Sequence, residues 1–170
     1  DQVTDRAPID SYFWTRLGMI APAHALISLL GIWEGFAVYK LLLLTIFTVS
    51  LFAIGRRFIG FWRATWLAAA TGCSSIVIAY FGNPYVSATV LAGLAALIAF
   101  AIRDGHACAV GGGITLGWLA MTYPTGALLG AVIWVSIRTY RHRIHRPDGA
   151  RPVVSMALTG GALATTAIVF

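Results

Sequence analysis

The sequence predicts an all-α protein, a polytopic bundle of transmembrane helices that is a fragment of a larger protein. Hydrophobic residues make up 59% of the 170 residues and charged residues only 11%, and the mean hydropathy is +0.82. This is too apolar for a soluble domain whose surface must be wetted. Several apolar runs reach the roughly 17 to 25 residues that a helix needs to cross a bilayer, so about six membrane-embedded helices and a short outer interfacial helix are expected.

The stretch GRRFIGFWR, residues 55–63, orients the predicted bundle. It places three arginines between two apolar runs, 36–54 and 64–81. Arginines collect in the cytoplasmic loops of membrane proteins. We therefore predict that this stretch is a cytoplasmic turn between two membrane helices.

Residues 1–16 are predicted to form an outer-face loop, which carries Asp1, Asp5 and Asp10. The following segment, 17–31, is apolar but is interrupted by Pro22 and His24. Its continuous apolar run is short for a crossing and is typical of an interfacial or re-entrant segment. Whether 17–31 spans the membrane or lies on it stays open at this point.

The remaining membrane helices are predicted at 85–102, 107–122, 124–137 and 152–170. The GNP sequence before 85–102 indicates a tight outer turn. Tyr123 and Pro124 break the next two runs, because proline removes a backbone donor and disfavours helix before it. These runs form either two short crossings or one re-entrant hairpin, and both place the basic loop 138–151 in the cytoplasm. Nine of the twelve Lys and Arg residues then lie inside.

Several other classes of protein and site are disfavoured. The net charge of +6 comes from residues at the ends of apolar helices, which indicates lipid headgroups rather than nucleic acid. The two cysteines lie in apolar surroundings and predict no disulfide or metal framework. His142 and His145 lie among arginines that would repel a cation, so no metal site is predicted. The sequence predicts no particular cofactor.

Three pairs of glycines have the small-residue spacing that lets helices pack closely in lipid. They are Gly31 and Gly35, Gly113 and Gly117, and Gly126 and Gly130. We predict that they serve helix packing.

Ionisable residues at the predicted outer face are candidates for binding. Lys40 lies one turn inside its predicted helix, where it either extends to the outer headgroups or joins Arg16 in binding a lipid-borne phosphate. Glu34 is an alternative partner that would neutralise Lys40. His24 is interpreted as an interfacial histidine that makes hydrogen bonds, and it is kept as a substrate-binding candidate.

The order of these segments resembles the polytopic GT-C class of glycosyltransferases. The resemblance rests on the acidic outer segment, YFWTRLGMIAPAHALISLLG, a span ending AIGRRFIG, and the later GGGITLGWLAMTYPTGALLG. The most similar members are bacterial enzymes related to protein mannosyltransferases and lipid A aminoarabinose transferase. The resemblance covers nearly the whole chain, as the N-terminal half of such an enzyme.

The resemblance implies transfer of a sugar from a polyprenyl-phosphate donor to an acceptor on the outer face of the cell membrane. Asp10 or Asp5 would be the catalytic base, and Arg16 and Lys40 would stabilise the phosphate leaving group. The family's adjacent acid pair is replaced here by two separated acids.

Other residues are assigned to substrate or lipid binding. We expect the sugar site to be lined by Asn83, Tyr85 and Tyr123, and anionic lipid to bind at Arg138–Arg151. The alternative functions are half of a transporter or flippase and a structural polytopic membrane protein.

Overall fold

The computed structural model of the chain describes residues 16–82 and 86–145. In those ranges it contains seven helices and no strand, so the all-α prediction is confirmed for this part of the chain. The helices are α1 (Leu17–Leu30), α2 (Ile32–Ile59), α3 (Phe61–Gly72), α4 (Ser75–Gly82), α5 (Ser87–Ala101), α6 (His106–Thr122) and α7 (Pro124–His145).

Helices α1 and α2 form an antiparallel hairpin that reverses at Gly31. Gly31 has a φ of +95°, a conformation that glycine adopts without steric cost. The two backbones approach closely just beyond it, because a β-carbon at Gly35 would lie 2.6 Å from the backbone of Ile27. The first of the predicted glycine pairs therefore lies at a helix–helix contact.

Helices α2 and α3 reverse at a single residue, Gly60, which has a φ of +83°. The helix was predicted to end at residue 54, but it continues through Arg56 and Arg57 in its last turn. Arginine has a high helix propensity, and cations are favoured at helix C-termini. The turn predicted over 55–63 is thus confined to one glycine, and Gly55 packs against Ala64 across the hairpin.

The predicted span 64–81 is two helices rather than one. Helices α3 and α4 meet at an angle of 55° across the break at Cys73 and Ser74. The Ser74 hydroxyl accepts a hydrogen bond of 3.3 Å from the backbone N–H of Val77, as a helix-capping serine does. Ser74 thereby favours a new helix start inside the apolar run.

Helices α2, α5 and α7 run in the same direction. Tyr39 meets Thr89 near the starts of α2 and α5, and Gly126 packs on Val90 near the starts of α7 and α5. We call the end of the bundle where α2, α5 and α7 start the far end. At the other end of α5, the Ile102 carbonyl accepts a hydrogen bond from α7.

We call that second end the basic end, because arginines on α2, α3 and α7 and in the connection after α5 gather there. It holds Arg56, Arg57, Arg63, Arg103, Arg138 and Arg141.

The core has two buried clusters. One joins α2, α4 and α5 through Leu43, Phe47, Phe81 and Ala92. The other joins α5, α6 and α7 through Leu97, Leu119 and Trp134. Both glycines of the predicted pair on α7 pack against α5, since a β-carbon at Gly130 would lie 2.8 Å from Leu97 and one at Gly126 3.1 Å from Val90.

One helix of the described residues, α2, is long and apolar enough to cross a membrane, and the bent α3–α4 pair would make a second if it counts as one span. The predicted bundle of about six membrane helices is not confirmed. Helix α5 has only 15 residues and α6 only 17. The predicted run 85–102 included flanking residues that lie outside α5, whereas α6 matches its predicted bounds of 107–122 to within one residue.

Helix α7 continues to His145 and so enters the segment 138–151 that was predicted as a loop. No proline or glycine interrupts the sequence between Arg138 and Arg146, and Pro147 is the first residue that would break a helix. The predicted outer loop, apart from Arg16, and the predicted helix 152–170 lie outside the described residues.

Candidate functional site

Four of the eight predicted site residues lie outside the described residues. These are Asp5, Asp10, Asn83 and Tyr85. The other four are Arg16, His24, Lys40 and Tyr123, and the structure places them at three different positions.

Arg16 immediately precedes α1, and its carbonyl accepts hydrogen bonds of 3.0 Å from the N–H groups of Met19 and Ile20. Two residues later, the Gly18 carbonyl accepts a hydrogen bond of 2.7 Å from the indole nitrogen of Trp118 on α6. A β-carbon at Gly18 would also lie 2.3 Å from the Thr122 hydroxyl. The N-terminus of α1 is therefore held against the end of α6, one residue before Tyr123.

Lys40 lies on α2 beside the buried Tyr39. Its ammonium nitrogen is 5.0 Å from the centre of the Phe36 ring, within the range of a cation–π contact. Tyr39 forms a 3.2 Å hydrogen bond with the Thr89 hydroxyl of α5. Lys40 thus flanks a polar link between two parallel helices near the far end.

His24 lies on the exposed side of α1. In the described part of the chain, the structure does not bring it into contact with the groove that Tyr123 lines. Its candidate role in substrate binding stays a prediction.

Tyr123 links α6 and α7 in an extended conformation, with φ of −160° and ψ of 98°. Its N–H donates to the Leu119 carbonyl over 2.7 Å, and its carbonyl accepts from Ala127 over 3.1 Å. The backbone is thereby fixed at both sides, while 47% of the residue remains exposed. Pro124 begins the next helix, where a missing N–H has no cost.

Tyr123 lines a groove of about 370 Å³ that we call the far groove. Its walls are formed by Tyr80, Val86, Ser87, Val90, Leu91, Leu94 and Tyr123. Ser87 begins α5, and Leu91 and Leu94 line the groove one and two turns further along that helix. Residues 82 and 86 border the segment that contains Asn83 and Tyr85.

Sequence reasoning missed Tyr80 as a member of this groove. Its signal was its position at the end of the predicted span 64–81, three residues before Asn83. Helix α4 brings Tyr80 to α5, and this placement depends on the bend at Ser74.

The basic end contains a compact cluster that sequence reasoning also missed, centred on Asp104. This carboxylate accepts a 3.2 Å hydrogen bond from Arg138 and a 2.5 Å hydrogen bond from Arg141. The same two arginines donate to the carbonyls of Arg103 and Ile102, over 2.7 and 2.6 Å. Carbonyls at a helix C-terminus have no partner within the helix, so α7 satisfies the end of α5.

Arg138 is the buried member of this cluster, with a side chain that is only 9% exposed. Burial lowers the pKa of its guanidinium, and the nearby Asp104 carboxylate raises it. The guanidinium carbon also lies 4.9 Å from the Trp134 ring centre. Arg138 therefore ties α7 to the connection between α5 and α6. The anionic lipid predicted at Arg138–Arg151 stays a prediction.

Within residues 16–82 and 86–145, no group of three or more His, Cys, Asp or Glu residues is placed to hold a metal ion. Comparison with known proteins found no matching family model, curated protein or solved structure. The functional interpretation therefore rests on the residues themselves.

Proposed function

We propose that the chain is a multi-pass helical module of the cell membrane whose far end binds a sugar carried on a polyprenyl phosphate and takes part in its transfer to an acceptor. The observation that carries this proposal is the far groove, which combines two tyrosines and a serine with an apolar floor. Each step of the proposal is supported by separate features.

Membrane placement is supported by the exposed apolar surface. Only 22% of the apolar window of α2 is buried, whereas a core helix of a soluble protein would be mostly covered. Large side chains on α2 and α3 are uncovered, including Leu41 at 63%, Trp62 at 74% and Trp66 at 74% exposure. Soluble monomers rarely expose such continuous apolar surface, so lipid is the solvent that suits these helices.

Orientation is supported by the distribution of charge along the bundle. Arginines of α2, α3 and α7 and of the connection after α5 gather at the basic end. Basic residues favour the cytoplasmic side of membrane helices. The far end, which includes Tyr80 and Tyr123, then faces outward.

Ligand class is supported by the shape and chemistry of the far groove. Leu91 and Leu94 continue from Ser87 along α5 over about 10 Å, at 1.5 Å per residue. An apolar strip of this kind suits an isoprenoid chain, while aromatic rings and hydroxyls at the mouth suit a sugar. An amphipathic ligand with a polar head and a prenyl tail matches both parts.

The reaction proposed at the far end is an inverting transfer. The acceptor oxygen attacks the anomeric carbon while the bond from that carbon to the phosphate oxygen breaks, and the electron pair leaves with the polyprenyl phosphate. A carboxylate, Asp10 or Asp5, takes the proton of the acceptor hydroxyl. Arg16 and Lys40 would stabilise the charge on the departing phosphate.

The experiment measures binding of mannosyl and aminoarabinosyl polyprenyl phosphate, and transfer of their radiolabelled sugar, in membranes from cells that produce the protein. Tyr80→Leu and Tyr123→Leu should each weaken binding of the sugar-bearing lipid several-fold and lower sugar transfer, because these two side chains lie where the groove is expected to hold the sugar. Trp66→Leu is the matched control, because it removes an exposed aromatic ring outside the groove. Equal binding by all three variants and the unaltered protein would contradict the proposal.

One observation favours a second candidate function, half of a transporter. The 55° break between α3 and α4 resembles the discontinuous helices that form transporter substrate sites. Assays of the protein reconstituted into proteoliposomes distinguish the two functions. A transporter moves a labelled solute across the bilayer without forming a new glycosidic bond, and a transferase forms that bond without moving the solute.

A further inference from the structure

A second groove, of about 550 Å³, opens at the basic end between α2, α5 and α7, and we call it the basic groove. Apolar side chains including Ile54, Ile98 and Ile137 line its length, and Ser136 lies at its exposed border. Arg57 and Arg141 line the same groove from two different helices. The basic groove therefore combines apolar walls with two guanidinium groups, whereas the residues that line the far groove carry no charge.

The two arginines have unequal roles. Each terminal nitrogen of Arg141 already donates one hydrogen bond, one to the Ile102 carbonyl and the other to Asp104. Arg57 is exposed in the last turn of α2, and no carboxylate of the described residues pairs with it. Arg57 is therefore the group with donors to offer a ligand, and Arg141 adds positive charge from a fixed position.

The net charge of the side chains at the basic end also favours binding of an anion. Asp104 is shared by Arg138 and Arg141, so one carboxylate faces two guanidinium groups and a positive charge remains. Arg57 adds a second, and no acidic residue within 16–82 and 86–145 lines the groove. Guanidinium groups bind phosphate oxygens through paired hydrogen bonds, whereas the isoleucine walls would exclude a small hydrated ion.

We infer that the basic groove binds one anionic phospholipid, with its phosphate at Arg57 and Arg141 and one acyl chain along Ile54, Ile98 and Ile137. The ligand would come from the leaflet next to the basic end. This inference rests on the membrane placement proposed above, but it is independent of the sugar chemistry and of the far groove. It assigns a lipid site to Arg57, on α2, which lies far in sequence from the basic segment 138–151.

The test uses the purified protein in mild detergent, exchanged into equal amounts of phosphatidylglycerol and phosphatidylcholine, with native mass spectrometry of the lipid that remains bound. The unaltered protein should retain phosphatidylglycerol in preference. Arg57→Gln should reduce its occupancy about fivefold, the effect of roughly one surface cation on lipid binding. Arg63→Gln is the matched control, because Arg63 is exposed at the same end and does not line the groove, so it should retain the lipid.

A second variant separates binding in the groove from attraction to the surface. Ser136→Trp obstructs the exposed border of the groove without changing charge, and it should also reduce phosphatidylglycerol occupancy. Free glycerol phosphate, which has the headgroup chemistry without acyl chains, should not displace the lipid.

Three outcomes would overturn the inference. The first is an equal loss of phosphatidylglycerol in Arg57→Gln and Arg63→Gln. The second is full retention of phosphatidylglycerol in Ser136→Trp. The third is equal retention of phosphatidylglycerol and phosphatidylcholine by the unaltered protein. Extraction of the protein from membranes by alkaline carbonate would instead contradict the membrane placement, so the two failures are distinguishable.

Discussion

Trp134 of α7 lies against the backbone of Gly112 on α6, so closely that a β-carbon at Gly112 would be 2.5 Å from the indole ring. Trp134 is only 1% exposed, which leaves the ring little room to move. The Trp134 side chain therefore fills the space that Gly112 leaves open, and this contact packs α7 closely against α6.

The first prediction follows from this contact. Gly112→Ala should destabilise the protein by about 1 to 3 kcal/mol, the usual cost of overpacking a dense core. Thermal unfolding in detergent, followed by loss of helical circular dichroism, measures the effect. Gly82→Ala is the control, because a β-carbon there meets open space. An unchanged melting temperature in Gly112→Ala would contradict the described packing.

The second prediction concerns the hydrogen bond of 3.2 Å between Tyr39 and Thr89. Tyr39→Phe and Thr89→Val each remove one partner, and the double variant removes both. A double-mutant cycle should give a coupling free energy of about 0.5 to 1.5 kcal/mol. Additive effects of the two substitutions would show that the hydroxyls do not interact.

The third prediction concerns the carboxylate of Asp104. Asp104→Asn should lower stability, because it leaves the buried Arg138 guanidinium without its anionic partner. The loss should lie toward the lower part of the roughly 1 to 3 kcal/mol range for an unsatisfied buried group, since Asp104 itself is 75% exposed. Thermal unfolding of Arg63→Gln, which removes an exposed charge at the same end of the bundle, supplies the control. A loss no larger than that of the control would contradict this role for Asp104.

The sequence predicted that apolar runs would be helices, but it placed several helix ends wrongly. Apolar composition indicates where a helix can lie in lipid, whereas its ends depend on local backbone chemistry. Gly60 alone reverses the chain, and the arginines before it continue the helix. The Ser74 cap starts a new helix within a run whose composition is uniform.

Only part of the candidate site could be predicted, because a local sequence pattern does not show which helices pack together. Tyr123 was identified because a tyrosine before proline marks a break, which is a local signal. Tyr80 and Asp104 could not be identified in this way, because their partners lie on other helices. Asp104 becomes the partner of Arg138 only when α5 and α7 run parallel with their ends aligned, and no local pattern specifies that alignment.

If the bundle crosses a membrane as proposed, the basic end and the far end lie on opposite sides of it, and cysteine labelling can distinguish the two sides. The native Cys73 and Cys108 are first replaced by alanine. Single cysteines are then introduced as Trp33→Cys, which is 84% exposed at the far end, and as His106→Cys, which is exposed at the basic end. Gly60 is avoided, because its positive φ would strain any other residue.

An impermeant thiol reagent is added to intact cells and, in parallel, to permeabilised cells. Trp33→Cys should react in intact cells, whereas His106→Cys should react only after permeabilisation. Labelling of His106→Cys in intact cells would contradict this orientation, whether or not Trp33→Cys is also labelled.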